Sequence, residues 1–239
     1  SRGAPPRLGG AVQNEAGGTV SGGSYGVLVQ GGGTVANAGT IIGGIDAVRF
    51  FGGSNRLIED PGAVFNGRVV ITGGTTDVLE LGVGAGGTGT LAGLDTEFVG
   101  FGTVTVDTGA TWQLASGTTI TAAETLVDSG SASASSLFNQ GTVAVAGGQF
   151  NDATQLAAGT GTGTLDIGAG GTATLTAGSA ADQTIAFTAA GGTLAITAGM
   201  TIATPITGFA AGDTVRIINA AVTRLGIAAG AGGTTQVTA

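Results

Sequence analysis

The sequence predicts an all-β fold, a right-handed parallel β-helix (β-solenoid) of roughly ten coils. Three observations point there. Of 239 residues, 50 are Gly, 42% are hydrophobic and only 9% are charged. The apolar residues are mainly Val, Leu, Ile and Ala with Thr interspersed, which suits short pleated strands joined by Gly-dependent turns. Gly-Thr followed by an aliphatic residue recurs along the chain, at Gly18-Thr19-Val20, Gly33-Thr34-Val35, Gly39-Thr40-Ile41, Gly102-Thr103-Val104, Gly141-Thr142-Val143 and Gly192-Thr193-Leu194. Large aromatics are scarce, with 9 Phe, 1 Trp and 1 Tyr. A two-sheet sandwich, the competing architecture, needs bulkier filling than a narrow bore of stacked Val, Ile, Leu and Ala.

Residues 1–17 carry Arg2, Arg7 and two Pro with little alternation, and read as an N-terminal arm or cap. Residues 18–204 read as the solenoid body. Runs such as 102–106 (Gly-Thr-Val-Thr-Val), 110–114 and 163–167 alternate with period two, so that neighbouring side chains face opposite ways. Run centres at Val104, Trp112, Ile120, Leu126, Val143, Leu165, Leu175, Ile185 and Leu194 lie about seven to ten residues apart, with a wider gap over 129–136. Gly-Gly, Asp-Thr-Gly and Gly-Ala-Gly-Gly between them supply corners. The nearest approach to a helical pattern, 122–127, is short. At about 20–25 residues and about 4.8 Å per coil, the body makes a rod about 50 Å long. Residues 205–239 change character, and Arg216 and Arg224 end a stretch free of cations since Arg68. This segment reads as a C-terminal coil, a cap or an interface.

Charge narrows the function. The formal net charge is −8, from 15 acidic and 7 basic residues, and every basic residue is Arg. Phosphate backbones and anionic lipids call for Lys/Arg clusters, so neither nucleic acid nor a membrane surface is an expected partner. No apolar run approaches the roughly 20 residues of a membrane helix, so membrane insertion is not expected. Cys, His and Lys are all absent, which removes disulfides, thiolate metal sites and the usual bases for nucleophilic catalysis. The start, Ser-Arg-Gly-Ala-Pro-Pro, has neither Met nor leader, so a processed piece with its export signal elsewhere is expected.

Local motifs are weighed on the same footing. Gly22-Gly23-Ser24-Tyr25-Gly26 matches G-x-S-x-G, but no His can take the serine proton. Gly84-Ala85-Gly86-Gly87-Thr88-Gly89 matches G-x-G-x-x-G, yet strand and turn residues follow where a dinucleotide site needs a helix. Paired acids could serve a glycosidase or lyase: Glu59/Asp60, Asp77/Glu80, and Asp95/Glu97, the last two residues apart and expected on one strand face, with Arg49, Arg56 and Arg68 as nearby cations. Solvated coil-face charges are the preferred reading. Asn37, Asn55, Asn66 and Asn139 fit either stacked ladders or, preferentially, corners with left-handed backbone. Thr arrays at 103/105, 160/162/164 and 172/174/176 suit outward strand positions or an ice-binding face.

Residues 39–81, including Asn55-Arg56-Leu57 and Pro61-Gly62-Ala63-Val64-Phe65-Asn66-Gly67, and residues 93–114 resemble repeats of secreted proteobacterial β-helix proteins, the autotransporter passengers and haemagglutinin-like adhesins. Residues 183–217, with Gly208-Phe209-Ala210-Ala211-Gly212-Asp213-Thr214, are similar to repeats of very large type I-secreted proteins. The resemblance implies a β-helix, secretion and a location at the cell surface, and implies little about activity. These residues include no barrel, so a whole autotransporter is not expected, and the calcium nonapeptide is missing, Gly73-Gly74-Thr75-Thr76-Asp77 being only an echo. The expectation is therefore a non-catalytic extracellular structural protein with no cofactor and no metal. Its expected partner is itself, end to end through Arg2, Arg7, Arg216 and Arg224, with glycans or host and abiotic surfaces as further partners.

Overall fold

The computed structural model describes residues 10–74, 76–220, 226–229 and 235–238, and every regular element among them is a strand. The first coils hold β1 (Gly10–Asn14), β2 (Thr19–Gly22), β3 (Tyr25–Gln30), β4 (Gly33–Asn37), β5 (Thr40–Phe51), β6 (Ser54–Glu59), β7 (Val64–Thr72) and β8 (Thr76–Leu81). The middle coils hold β9 (Thr88–Leu91), β10 (Phe98–Val99), β11 (Thr103–Val106), β12 (Thr111–Leu114), β13 (Thr118–Ile120), β14 (Thr125–Asp128), β15 (Ser131–Ala134), β16 (Leu137–Asn139), β17 (Thr142–Val145) and β18 (Gln149–Asp152). The later coils hold β19 (Gly163–Ile167), β20 (Thr172–Leu175), β21 (Gln183–Phe187), β22 (Thr193–Thr197), β23 (Ile206–Thr207) and β24 (Thr214–Ile218). Beyond them, β25 (Gly226–Ala229) pairs antiparallel with β26 (Thr235–Thr238).

The architecture is a parallel β-solenoid. One sheet of ten strands, in the order β1-β4-β6-β8-β11-β14-β17-β19-β21-β23, takes one strand from each coil. Successive partners in it lie from 17 residues apart (Leu126 to Val143) to 25 (Leu79 to Val104). A five-stranded sheet built on β5 and β7 supplies the second wall in the early coils. Seven strands, from β9 through β12, β15, β18, β20 and β22 to β24, supply it later. Each coil acts as the crossover that parallel pairing requires, with turns in place of a helix.

Alternation selects what enters the bore. In the long sheet Val12, Val35, Leu57, Leu79, Val104, Leu126, Val143, Leu165, Ile185 and Ile206 stack in one inward column. The seven-stranded sheet fills its column by size: Gly89, Trp112, Ala132, Phe150, Ala173 and Leu194 follow one another, small between large. A Cβ at Gly89 would lie 2.6 Å from the Trp112 ring, so that position has room only for Gly. Trp112 is fully buried, and its indole N–H donates to the Gly82 carbonyl at 2.9 Å, which satisfies the one polar atom of the side chain.

Several expectations shift. Residues 10–14, assigned to the arm, form β1 and pair in parallel with β4; Asn14 at an inward position hid their alternation. The expected gap over 129–136 contains β15, whose inward residues are only Ala132 and Ala134. They lack the bulk that marks a strand because Trp112 and Phe150 occupy the space on either side. Past residue 204, β23 pairs with β21 and β24 with β22, which fits the coil among the readings of that segment and does not shift it. Finally, none of the four Asn residues has positive φ. Asn37, Asn55 and Asn139 are buried instead: one Asn-to-Asn rung forms, Asn14 donating to the Asn37 side-chain oxygen at 2.8 Å, while Asn55 donates to Asp77 and Asn139 to Gln183.

Candidate functional surfaces

Three outer regions carry polar chemistry. The first is an acidic corner across consecutive coils. Arg56 on β6 grips Glu80 on β8 through both Nε (2.7 Å) and Nη2. Asp107, just past β11, faces the same Glu80, with Asp60 also in range. Burial, then the charge of Glu80 and a hydrogen bond shared with it, push the Asp107 carboxyl up to about 6, against the pull of Arg56. A Cβ at Gly82 would collide with the Asp60 carboxylate, so the glycine leaves room for the acids to converge.

The paired acids expected from sequence separate here. Asp95 has φ 64° and sits in a tight turn where Glu97 N–H donates to the Gly93 carbonyl at 2.6 Å, so Asp95 and Glu97 do not share a strand face. Asp95 instead shares a hydrogen bond with Glu124 on the next coil, and burial raises both carboxyls. Glu59 turns inward, where burial alone pushes it up to about 8, while Asp60 stays at the corner. Asp77 accepts from the Asn55 backbone N–H at 3.0 Å and its amide at 2.7 Å, a structural role. Among the described residues, no group of three or more His, Cys, Asp or Glu is arranged to hold a metal ion.

The second region is a cationic patch on the five-stranded sheet. Asp46, fully buried, accepts from Arg49 at 3.0 Å and from Arg68 at 3.4 Å. Arg49 also donates to the Thr72 hydroxyl at 3.0 Å and lies over the Phe51 ring, 5.1 Å from its centroid. The offset from Asp46 to Arg68 is one coil, as is Arg56 to Glu80. Opposite charges at the coil period were the signal in the sequence that a search for local pairs passes over.

The third region is the pair of neutral outer faces. Thr103, Thr125, Thr142, Thr164 and Thr184 form one unbroken outward column on the long sheet. On the other wall the outward positions from β9 to β20 are all Thr, Ser, Gln or Asn. The array expected at 160/162/164 reduces to Thr164, because residues 160 and 162 precede the strand. The G-x-S-x-G segment spans the end of β2, the turn at Gly23-Ser24 and the start of β3, and the G-x-G-x-x-G segment runs into strand β9. Of the four expected assembly arginines, Arg216 is exposed on β24, and Arg2, Arg7 and Arg224 lie outside the described residues.

Compared with known proteins, the chain matches no family model, no curated protein and no solved structure.

Proposed function

We propose that the chain is a non-catalytic extracellular scaffold: a rigid β-solenoid serving as the subunit of a self-assembling surface filament or sheath, or as an adhesin stalk. The observation that supports this is the continuous interior. One inward apolar column threads all ten strands of the long sheet, and from β9 to β20 the outward positions of the second wall carry neutral polar side chains. Such an interior sums nearest-neighbour coil contacts into a stiff rod. The resemblance to secreted β-helix adhesins supports the extracellular setting. Negative-stain imaging of the purified chain is the test. Rods about 50 Å long, single or joined into filaments, are expected; compact round particles would overturn the reading.

The rival class is a polysaccharide-active lyase or glycosidase acting at Arg56, Glu80 and Asp107. Hydrolysis needs carboxyl groups about 5–5.5 Å or about 6.5–9.5 Å apart, whereas Glu80 and Asp107 are hydrogen-bonded to each other. No glycan turnover is expected. Reducing-end release that disappears in Asp107→Asn would establish the enzyme. A second reading attaches to the Thr column, whose regular repeat could order surface water into an ice-like lattice. Thermal hysteresis abolished by Thr142→Lys would move the assignment there.

A further inference from the structure

We infer that the chain stacks head to tail on a second copy of itself, the β23–β24 end of one solenoid seating on the β1–β2 end of the next; the inference rests on the scaffold reading above. Each coil covers the inward side chains of its neighbour, and the columns show where that cover stops. In the long sheet Leu165 and Ile185 have no exposure, whereas Ile206, which ends the column, is partly exposed. On the second wall Ala173 and Leu194 have none, whereas Val215, stacked on Leu194, is 36% exposed. Phe209, set edge-on against the buried Phe187, is 56% exposed. The opposite end repeats the pattern: Val35 and Ile41 have no exposure, but Val12 and Val20, which begin their columns, are partly exposed. Strand edges are open at the same places. Among the described residues β1 pairs only with β4, β2 only with β5, β23 only with β21 and β24 only with β22. Each therefore presents one edge of N–H and C=O groups to a further strand.

The two ends fit each other. Head to tail, β1 lies along β23 and β2 along β24 in the parallel sense of every described coil-to-coil pairing. Val12 then continues the column that ends at Ile206. Val20 continues the column that ends at Val215, since each is the first inward residue of the second wall after the corner. Head to head, the strands would meet antiparallel, which no two described coils do. Charge does not oppose the contact: residues 10–30 hold one charged side chain, Glu15, and residues 206–218 hold two, Asp213 and Arg216. Asp213 is already engaged by the N–H groups of Gly191, Gly192 and Ala210. The described tail strands do not cover the end, because β25 and β26 pair with each other and Val215 stays exposed. A head-to-tail contact of this kind does not close on itself, so it grows a filament. Being apolar and main-chain in nature, it should hold in high salt, where a charge-paired contact would be screened.

Cysteine pairing tests the assignment, because the chain has no Cys of its own. Val20 and Val215 stand at opposite ends of a stack about 40 Å tall, too far apart to join within one chain. In the stacked pair they are neighbours on adjacent strands, within the Cα separation of about 4.4–6.8 Å that a disulfide spans. On oxidation the double variant Val20→Cys/Val215→Cys should give a ladder of covalent oligomers, and each single variant should stay uncrosslinked. An equimolar mixture of the two single variants should stop at dimers. In sedimentation velocity the unsubstituted chain should associate equally in about 20 mM and about 500 mM salt. Val215→Lys should weaken that association at least about tenfold, with the strand signature in circular dichroism unchanged. Dimers from either single cysteine variant alone would show a head-to-head contact and overturn the assignment. So would an unsubstituted chain that associates only in low salt and gives no cysteine ladder, or one that stays monomeric at every concentration. If those monomers are still rods in negative stain, the scaffold reading survives; round particles would sink both.

Discussion

The early coils, through β8, and the later coils, from β11 onward, solve the same problem in different ways. Every coil must close a corner at the last inward position of its strand on the long sheet. In register, those residues are Asn14, Asn37, Glu59 and Leu81, then Val106, Asp128, Val145 and Ile167. Early coils link polar corners to one another: the Asn14 amide donates to Asn37, and the Asn37 oxygen accepts from the Gly39 N–H at 3.1 Å. At the later corners Asp128 and Asp152 the side chain bonds locally. Asp128 accepts from the N–H of Gly130, two residues on, and on the other wall Asp152 accepts from the N–H of Thr154, each at 3.1 Å. A ladder couples adjacent coils and fixes their register. A local turn lets its coil be altered independently. Strand lengths follow: β5 runs 12 residues around a bulge, whereas β11, β12, β14 and β17 each have 4.

That contrast can be broken at defined points. The largest effect is expected from Trp112→Ala, which opens a cavity between two small neighbours that cannot fill it; a loss of about 4 kcal/mol is expected in urea unfolding. Adding Gly89→Leu should recover part of it, since the indole that excludes a side chain there is gone. Full additivity of the two would argue against size-matched stacking.

Glu59 comes next, because it is the early corner that the ladder does not serve: its Oε2 is buried without a partner. Burial raises its pKa from 4.5 to about 8 in the fold, so its contribution to stability is full below about pH 4.5 and is lost as pH rises toward about 8. Asp128 and Asp152, raised from 3.8 to about 6, act in the same direction between about pH 4 and pH 6. The chain should therefore melt highest in mild acid. Glu59→Gln should raise stability at pH 8 by up to roughly 4 kcal/mol and leave it nearly unchanged at pH 4. A melting temperature that climbs from pH 4 to pH 8 in the wild type would refute this.

Asn37→Leu, which removes the rung to Asn14 and takes the side-chain acceptor from the buried Gly39 N–H, should cost about 2 kcal/mol. By hydrogen exchange the loss should spread into the β1 coil. Asp152→Ala, at a self-contained corner, should raise exchange in its own coil alone. Equal spread from both sites would erase the distinction between coupled and independent corners. The smallest effect belongs to the outside: Thr142→Val should change stability by less than about 0.5 kcal/mol, because the position is a partly exposed strand site that either residue suits.

Sequence alone determined the class of fold and much of the later body. Alternation with Gly-Thr starts places Val104, Trp112, Leu126, Val143, Leu165 and Leu194 in strands, and all are buried as expected. Period-two patterning is a local property, set by the pleat of a single strand, and so it is written in consecutive residues. What it could not determine is anything that depends on the coil above or below. The strand at 131–134 was invisible because its small side chains make sense only beside Trp112 and Phe150. The union of Asp107 with Glu80, of Asp95 with Glu124 and of Asp46 with Arg68 was equally hidden. Coil length varies from 17 to 25 residues, so no fixed offset identifies the residue stacked on a given one. Only the parallel register, fixed by the whole stack of backbone hydrogen bonds, decides which side chains meet.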